Sequence, residues 1–206
     1  MQTINKTSAN KTFAHTWYVY PIVATLITLL WIWGFQAFHQ PSNHQKLTLF
    51  FATEIKNKSF LNDIRDNYDR EKLRQVEANY GLPTSVGFTT KLQVAVNTAD
   101  IIILDETTLA SFNDHHQNYF VEIDNYVKSY LEKDETYYVD NEKNYGILLK
   151  EKNTNHWMKQ YMDFDEEKDY YITISIASQN IGKVFDENNA YYDNALSIIK
   201  YLIKEN

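Results

Sequence analysis

Two short clusters of carboxylate and hydroxyl side chains offer the clearest chemistry in this sequence. Thr53 and Glu54 follow an apolar run at 46–52, and the second cluster follows an apolar run at 99–104. Ligands of open parallel sheets bind beyond the carboxyl ends of strands, and these groups can bond sugar hydroxyls or a cationic group. The candidate ligand-binding residues are therefore Thr53, Glu54, Asp105, Glu106, Thr107 and Thr108. The alternative is that Asp105 and Thr107 cap the helix that follows.

Trp157 is the one tryptophan outside the N-terminal apolar stretch. An exposed indole can stack on a sugar face or fill a partner's pocket, so Trp157 joins the candidate ligand-binding residues. The alternative is a core or half-core position, which is the commoner fate of a tryptophan.

Two segments carry groups that bind metals in other proteins. His115 and His116 are adjacent, so they point in different directions on a helix, and no HExxH spacing accompanies them. Residues 163–169 have carboxylates at alternate positions, but Lys168 and Ile174 stand where a calcium loop needs Gly and Glu. The default interpretations are a solvated helix end and a solvated acidic turn. We expect no metal and no cofactor.

Signatures of catalysis are missing from the sequence. It has no cysteine, which excludes disulfides, a thiolate nucleophile, a cysteine-based zinc site and a lipoprotein-type lipid anchor. It also lacks G-x-S-x-G, a Walker loop and G-x-G-x-x-G, and nothing selects a catalytic pair from its 27 acidic residues. The sequence therefore predicts a protein that is not an enzyme.

The charges are unevenly distributed along the chain. Residues 1–45 contain Lys6 and Lys11 and no acidic residue. The rest holds the other 18 basic and all 27 acidic residues, a net charge of −9. A field of that sign repels phosphate backbones, so nucleic acid is not an expected partner.

Trp17 to Phe38 form an uncharged apolar segment of 22 residues. As a helix it would span about 33 Å, enough to cross a bilayer, and aromatic residues mark both ends. A cleaved signal peptide is the alternative, but no A-x-A pattern follows the segment. We predict a cytoplasmic tail at 1–15, a bilayer-spanning anchor at 16–38, a stalk at 39–45 and an extracytoplasmic domain at 46–206. The lysines before the anchor support this orientation in the cell membrane.

Apolar periodicity predicts alternating strands and helices in residues 46–206. Strands are expected at 46–52, 99–104, 144–149 and 170–177, and helices at 59–67, 88–98, 126–131 and 191–203. Residues 70–80 fit either a helix or a second strand. The unbroken run Ile101 to Leu104 indicates burial on both faces of a sheet. The expected fold is α/β, with a mostly parallel sheet flanked by helices.

Three segments carry a resemblance to a known family. KLTLFFA at 46–52, FTTKLQVAVNTADIIILDE at 88–106 and YFVEID at 119–124 resemble the first lobe of bacterial extracellular solute-binding proteins, the receptors of ABC importers, of the sugar-binding type. NYGIL at 144–148 and the segment at 170–203 resemble later parts of the same family. The resemblance implies a periplasmic-binding-protein-like fold, a sugar-like solute and a membrane permease as partner.

The chain departs from this family in length. The family has two lobes that close on a ligand, whereas only about twenty residues separate the 144–149 strand from the 170–177 return strand. We therefore expect a single lobe. It would bind a small solute or dock to a membrane transport partner. The alternative is an interaction or assembly module of a membrane complex that has lost ligand binding.

Overall fold

A computed structural model describes residues 17–41, 45–68, 73–131, 136–178, 180–181 and 194–204. The chain divides into two units, residues 1–40 and residues 41–206.

The first unit is built around helix α1, Val19–His39. Its segment Val19–Phe38 has a mean hydropathy of 1.6 and is long enough to cross a membrane. The hydroxyls of Thr25 and Thr28 donate to the carbonyls of Pro21 and Ala24, at 2.8 Å each. These polar groups are therefore satisfied inside the helix, which suits a lipid environment.

The second unit is an α/β domain with a six-stranded sheet in the order β2-β1-β3-β6-β5-β4. Short helices connect and cover the strands. In chain order the elements are β1 Lys46–Phe51, α2 Phe60–Asn67, β2 Gln75–Tyr80, α3 Phe88–Thr98, β3 Ile101–Asp105, α4 Glu106–Ala110, a 3₁₀ helix Asn113–Asn118, α5 Asn125–Leu131, β4 Tyr137–Asp140, β5 Lys143–Lys150, a 3₁₀ helix Trp157–Gln160, β6 Tyr170–Ile174 and α6 Asn194–Leu202.

The sheet is mixed, which corrects the prediction of a mostly parallel one. Strand β1 pairs in parallel with β2 and β3, whereas β6 runs antiparallel to both β3 and β5, and β4 is antiparallel to β5. The burial of β3 on both faces is confirmed, because all five of its residues are buried. Burial on both faces requires a central strand with covered faces, and it does not report the direction of the neighbouring strand.

Two apolar clusters pack against the two faces of the sheet. The larger includes Leu47, Leu49 and Phe51 of β1 and extends to Leu196 and Ile199 of α6. The smaller joins Phe50 of β1 and Ile102 and Leu104 of β3 to Leu92, Ala95 and Val96 of α3. The alternation of side chains along β1 places successive residues in different clusters.

The structure decides the segment that the sequence left ambiguous. Residues 75–80 are the edge strand β2, and their alternation of polar and apolar residues was the available signal. Strand β4 was not predicted. The predicted C-terminal helix is confirmed over Asn194–Leu202, and Tyr191 and Tyr192 lie outside the described residues.

Candidate functional site

The carboxyl ends of β1 and β3 lie side by side, as the sequence predicted. Phe51 pairs with Ile103, and the amide of Ala52 donates to the carbonyl of Ile103 at 2.8 Å. Thr53 is buried, and its hydroxyl donates to the carbonyl of Asp163 at 2.5 Å. Glu54 is exposed, and its carbonyl accepts from the amide of Asp163 at 2.9 Å. The hydroxyl of Thr53 thus bonds a neighbouring loop.

Asp105 acts as the N-cap of helix α4, which confirms the capping alternative for this residue. Its carboxylate accepts from the amide of Thr108 at 3.2 Å and from the Thr108 hydroxyl at 2.6 Å. The ammonium of Lys168 lies 3.4 Å from the same buried carboxylate. Thr107 is exposed and is not the N-cap, contrary to its part in that alternative, and Glu106 is exposed as well.

The loop at 163–169 covers this edge of the sheet and encloses the ammonium of Lys150. Lys150 is 1% exposed, and its Nζ lies 3.0 Å from the carbonyl of Asp165 and 3.1 Å from that of Lys168. Burial lowers the pKa of Lys150, since removal from water disfavours the charged form. The prediction of a solvated acidic turn is confirmed for the carboxylates at 165–167, which are exposed. The sequence did not predict that the backbone of the loop holds a buried cation.

Trp157 is half-buried, which favours the half-core alternative. Its ring packs edge-on against Tyr201, with centroids 5.4 Å apart, and its Nε1 donates to the carbonyl of Leu202 at 3.2 Å. Trp157 therefore packs against α6, and within the described part of the chain no hydrogen bond or ring contact joins it to the candidate residues at the carboxyl edge.

The two histidines differ in environment, and the prediction of a solvated helix end holds for one of them. His115 is exposed, whereas His116 is 1% exposed. The ring of His116 stacks on Tyr145 with centroids 5.5 Å apart, and its two nitrogens contact oxygens of Leu109 and Asp140. No group of three or more His, Asp or Glu side chains within the described residues could hold a metal ion.

An open groove lies beside the edge strand β2, away from the predicted ligand-binding residues. Helix α3 packs on β1 and β3, while Asn79 of β2 is exposed next to it. The groove between helix α3 and strand β2 has a volume of about 440 Å³, a size that suits a small molecule. We call it the β1–α3 groove; it is lined by Thr48, Phe50, Lys58, Asn79, Tyr80, Thr90, Lys91, Val94, Ala95, Thr98 and Ala99.

The groove combines aromatic rings with hydrogen-bonding side chains. Tyr80 is 40% exposed, and Thr90 and Thr98 line the groove from α3. The hydroxyl of Thr98 donates to the carbonyl of Val94 at 2.8 Å and keeps its acceptor capacity. Helix α3 begins after Gly87, whose φ of +84° is a conformation that glycine adopts without strain. Sequence reasoning missed the groove because it left residues 70–80 open between a helix and a strand, so the exposed polar residues of β2 could not be placed beside α3.

A buried polar network holds one end of the groove. The carboxylate of Asp100 accepts from the amide of Thr48 at 2.8 Å, the hydroxyl of Ser178 at 2.7 Å and the side-chain amide of Asn180 at 2.9 Å. These bonds tie β1 to the segment after β6, and Thr48 also lines the groove. The backbone that lines the groove is thereby positioned before any ligand arrives.

Comparison with known proteins adds no family assignment. No family model matches the chain, and no curated protein and no solved structure matches it. The resemblance to solute-binding proteins therefore stays a prediction that depends on the sequence motifs.

Proposed function

We propose that this chain is a membrane-anchored, non-catalytic receptor domain that binds a small solute in the β1–α3 groove. The domain lies outside the cell, on the C-terminal side of a single bilayer-spanning helix. In this proposal it corresponds to one lobe of a solute-binding protein of an ABC importer and delivers its solute to a membrane permease.

The observation that carries the proposal is the make-up of the groove. A concave site of about 440 Å³ with two aromatic rings, three threonine hydroxyls and a side-chain amide offers both stacking and directed hydrogen bonds. Small-molecule sites commonly have this size and this mixture of groups. Phe50 belongs to the apolar core and Thr48 to the network around Asp100, so part of the lining is rigid.

The sheet supports the single-lobe part of the proposal. Strands β1, β2 and β3 are parallel and are joined through α2 and α3, and the return strand β6 lies directly beside β3. The anchor part is supported by helix α1, which is apolar and long enough to cross a bilayer. The two lysines and the absence of acidic residues before it favour a cytoplasmic N-terminus.

Thermal unfolding of the full-length chain in detergent micelles tests solute binding. The panel consists of sugars, oligosaccharides, amino acids and short peptides. A ligand at 100 times its Kd stabilises the protein by about 2.7 kcal/mol, which is a shift of several degrees for a domain of this size. A saturable shift from one chemical class supports the receptor, and no shift from any class contradicts it.

Two substitutions on α3 locate the binding site. Thr98→Trp places a bulky ring in the groove and should abolish the thermal shift. Gln93→Trp is the matched control, since Gln93 is exposed on the same helix and does not line the groove. Equal loss of the shift in both variants would place the solute elsewhere.

A second candidate function is favoured by the carboxyl edge of the sheet. Thr53 and Asp105, which would face a ligand there, are held by the 163–169 loop and by helix α4. Because these side chains already bond within the protein, they are less suited to a solute, and this favours an assembly module that contacts another membrane protein. A photo-crosslinking residue at Val86, which is fully exposed after β2, tests this contact.

The control for that contact is the same photo-crosslinking residue at Ile176. This residue follows β6, at the end of the sheet where β3 begins. Ile176 is 41% exposed. A single crosslinked membrane protein from Val86 but not from Ile176, with no thermal shift from any solute, would support the assembly module. Similar crosslinks from both positions would rule out a specific contact at the carboxyl edge.

A further inference from the structure

We infer that the β1–α3 groove selects an anionic, hydroxyl-bearing small molecule such as a sugar acid. This inference rests on the proposed function, since it names the chemical class of the solute for the same site. Among the described residues, the groove lining contains two cationic side chains, Lys58 and Lys91, and no carboxylate.

Five lysines of the domain have a carboxylate partner, and the two lysines of the groove are not among them. Lys46, Lys56, Lys143, Lys159 and Lys168 each form an ion pair. Among the described residues, neither Lys58 nor Lys91 has a carboxylate within ion-pair distance. The ammonium of Lys58 donates to the carbonyl of Ala78 at 2.8 Å, which holds it at the edge of β2.

The positive charge of the groove contrasts with the negative charge of the domain around it. Residues 46–206 carry a net charge of −9, so an anion is repelled by the domain as a whole. Of the acidic residues next to the groove, Glu77 is 3.4 Å from Lys46, and Asp100 is buried with three hydrogen-bond donors. Lys46 therefore neutralises Glu77, and the carboxylate of Asp100 is occupied by its three donors. Two ammonium groups that have no carboxylate partner among the described residues are suited to a carboxylate or phosphate of the ligand.

The other polar side chains of the groove can form hydrogen bonds with hydroxyl groups of a ligand. Thr48 and Thr90 offer hydroxyls and Asn79 offers an amide, and these can donate to and accept from a polyhydroxylated ring. The Thr98 hydroxyl donates to the carbonyl of Val94 at 2.8 Å, so it can only accept from the ligand. The exposed ring of Tyr80 provides a face for the C–H groups of a sugar. Charge and hydroxyl recognition together indicate a sugar acid or a sugar phosphate rather than a small inorganic anion.

A matched series of hexoses tests the inference on the full-length chain in detergent micelles. Glucuronate, glucose and glucosamine have the same ring and carry a negative, a zero and a positive charge, and glucose 6-phosphate adds a second anion. Isothermal titration calorimetry should give about tenfold tighter binding of glucuronate or glucose 6-phosphate than of glucose, and the weakest binding for glucosamine. The preference should decrease from 0.02 M to 0.5 M salt.

Lysine-to-glutamine variants test whether the charges of Lys58 and Lys91 cause the preference for an anionic hexose. Lys91→Gln should reduce the affinity for the anionic hexose about tenfold, a larger loss than for glucose, and Lys58→Gln/Lys91→Gln should remove the preference. Lys152→Gln is the control, because Lys152 is exposed and lies outside the groove.

The outcomes distinguish this inference from the proposed function. Equal or tighter binding of glucose or glucosamine overturns the anion preference and leaves the receptor intact. Binding of amino acids or peptides alone has the same consequence. If nothing in either panel binds, both the anion preference and the receptor are wrong.

Discussion

The Nδ1 atom of His116 lies 2.9 Å from Oδ2 of Asp140, and Nε2 of the same ring lies 2.9 Å from the carbonyl oxygen of Leu109. The imidazole therefore joins the 3₁₀ helix after α4 to strand β4 and to the last turn of α4. Asp140 is the last residue of β4, so one side chain connects three elements that the sequence spreads over about thirty residues.

Replacement of His116 by alanine should strongly destabilise the domain. It removes two buried hydrogen bonds and leaves a cavity among Phe112, Tyr138 and Tyr145, which we expect to cost about 3 kcal/mol. Denaturant unfolding followed by far-UV circular dichroism measures the loss. His115→Ala is the control and should change the free energy of unfolding by less than about 0.5 kcal/mol. Equal effects of the two substitutions would contradict the finding that His116 is buried and His115 is exposed.

Lys150→Met should also destabilise the fold, although it keeps most of the side-chain volume. The carbonyls of Asp165 and Lys168 lose their donor, and we expect a cost of about 2 kcal/mol. The 163–169 loop should become more sensitive to proteolysis. Lys152→Met alters an exposed lysine next to the same loop and should leave both properties unchanged. Protease resistance equal to that of the parent would show that the ammonium does not hold the loop.

Asp105→Ala and Thr107→Ala test whether the carboxyl edge of β3 is structural. Loss of the cap and of the buried contact with Lys168 should cost about 2 kcal/mol in Asp105→Ala. Thr107 is exposed, so Thr107→Ala should leave stability unchanged within about 0.5 kcal/mol and should not affect solute binding in the β1–α3 groove. Weaker solute binding in Thr107→Ala would indicate that the solute binds at the carboxyl edge of β3 and not in the β1–α3 groove.

The stability of the domain should decrease at high pH because several tyrosines resist ionisation in the folded state. Burial is the first cause of the raised pKa of Tyr68, which reaches about 12, and burial also raises the pKa of Tyr138, Tyr170, Tyr171 and Tyr201. The hydroxyl of Tyr68 also donates to the carbonyl of Ser197.

The direction of the pH effect follows from proton linkage. A phenol with a raised pKa in the folded state stabilises that state fully below its unfolded pKa of about 10, and the contribution is lost as the pH rises towards about 12. Absorbance at 295 nm should show late-titrating phenols, and Tyr68→Phe should remove one of them. In guanidinium chloride all phenols should titrate together near pH 10. A single titration step near pH 10 for the folded protein would contradict burial of these rings.

The predicted orientation in the membrane can be tested with single cysteines, because the chain has none of its own. Lys152→Cys lies on the exposed surface of the domain, and Ser8→Cys lies before the anchor. A membrane-impermeant maleimide should label Lys152→Cys in intact cells and Ser8→Cys only after the cells are permeabilised. The reverse pattern would place the domain in the cytoplasm.

The sequence by itself determined the elements with a strong local pattern. The apolar run at 17–38 predicts α1, the period of α3 predicts its bounds of Phe88 and Thr98, and the run at 101–104 predicts a strand buried on both faces. These predictions succeed because periodicity and continuous hydrophobicity report directly on how one segment is buried. The position of Asp105 after a strand and before a helix was likewise enough to predict a cap.

Only the tertiary structure decided how the segments combine. The antiparallel position of β6 beside β3 depends on pairing between residues about seventy positions apart, which a local pattern does not encode. Whether His116 and Lys150 are solvated depends on acceptors from distant elements, because a polar side chain is buried at low cost only where the fold supplies its hydrogen-bond partners. The β1–α3 groove exists because α3 covers β1 and β3 but leaves β2 open, and that offset between a helix and a sheet edge is a property of packing.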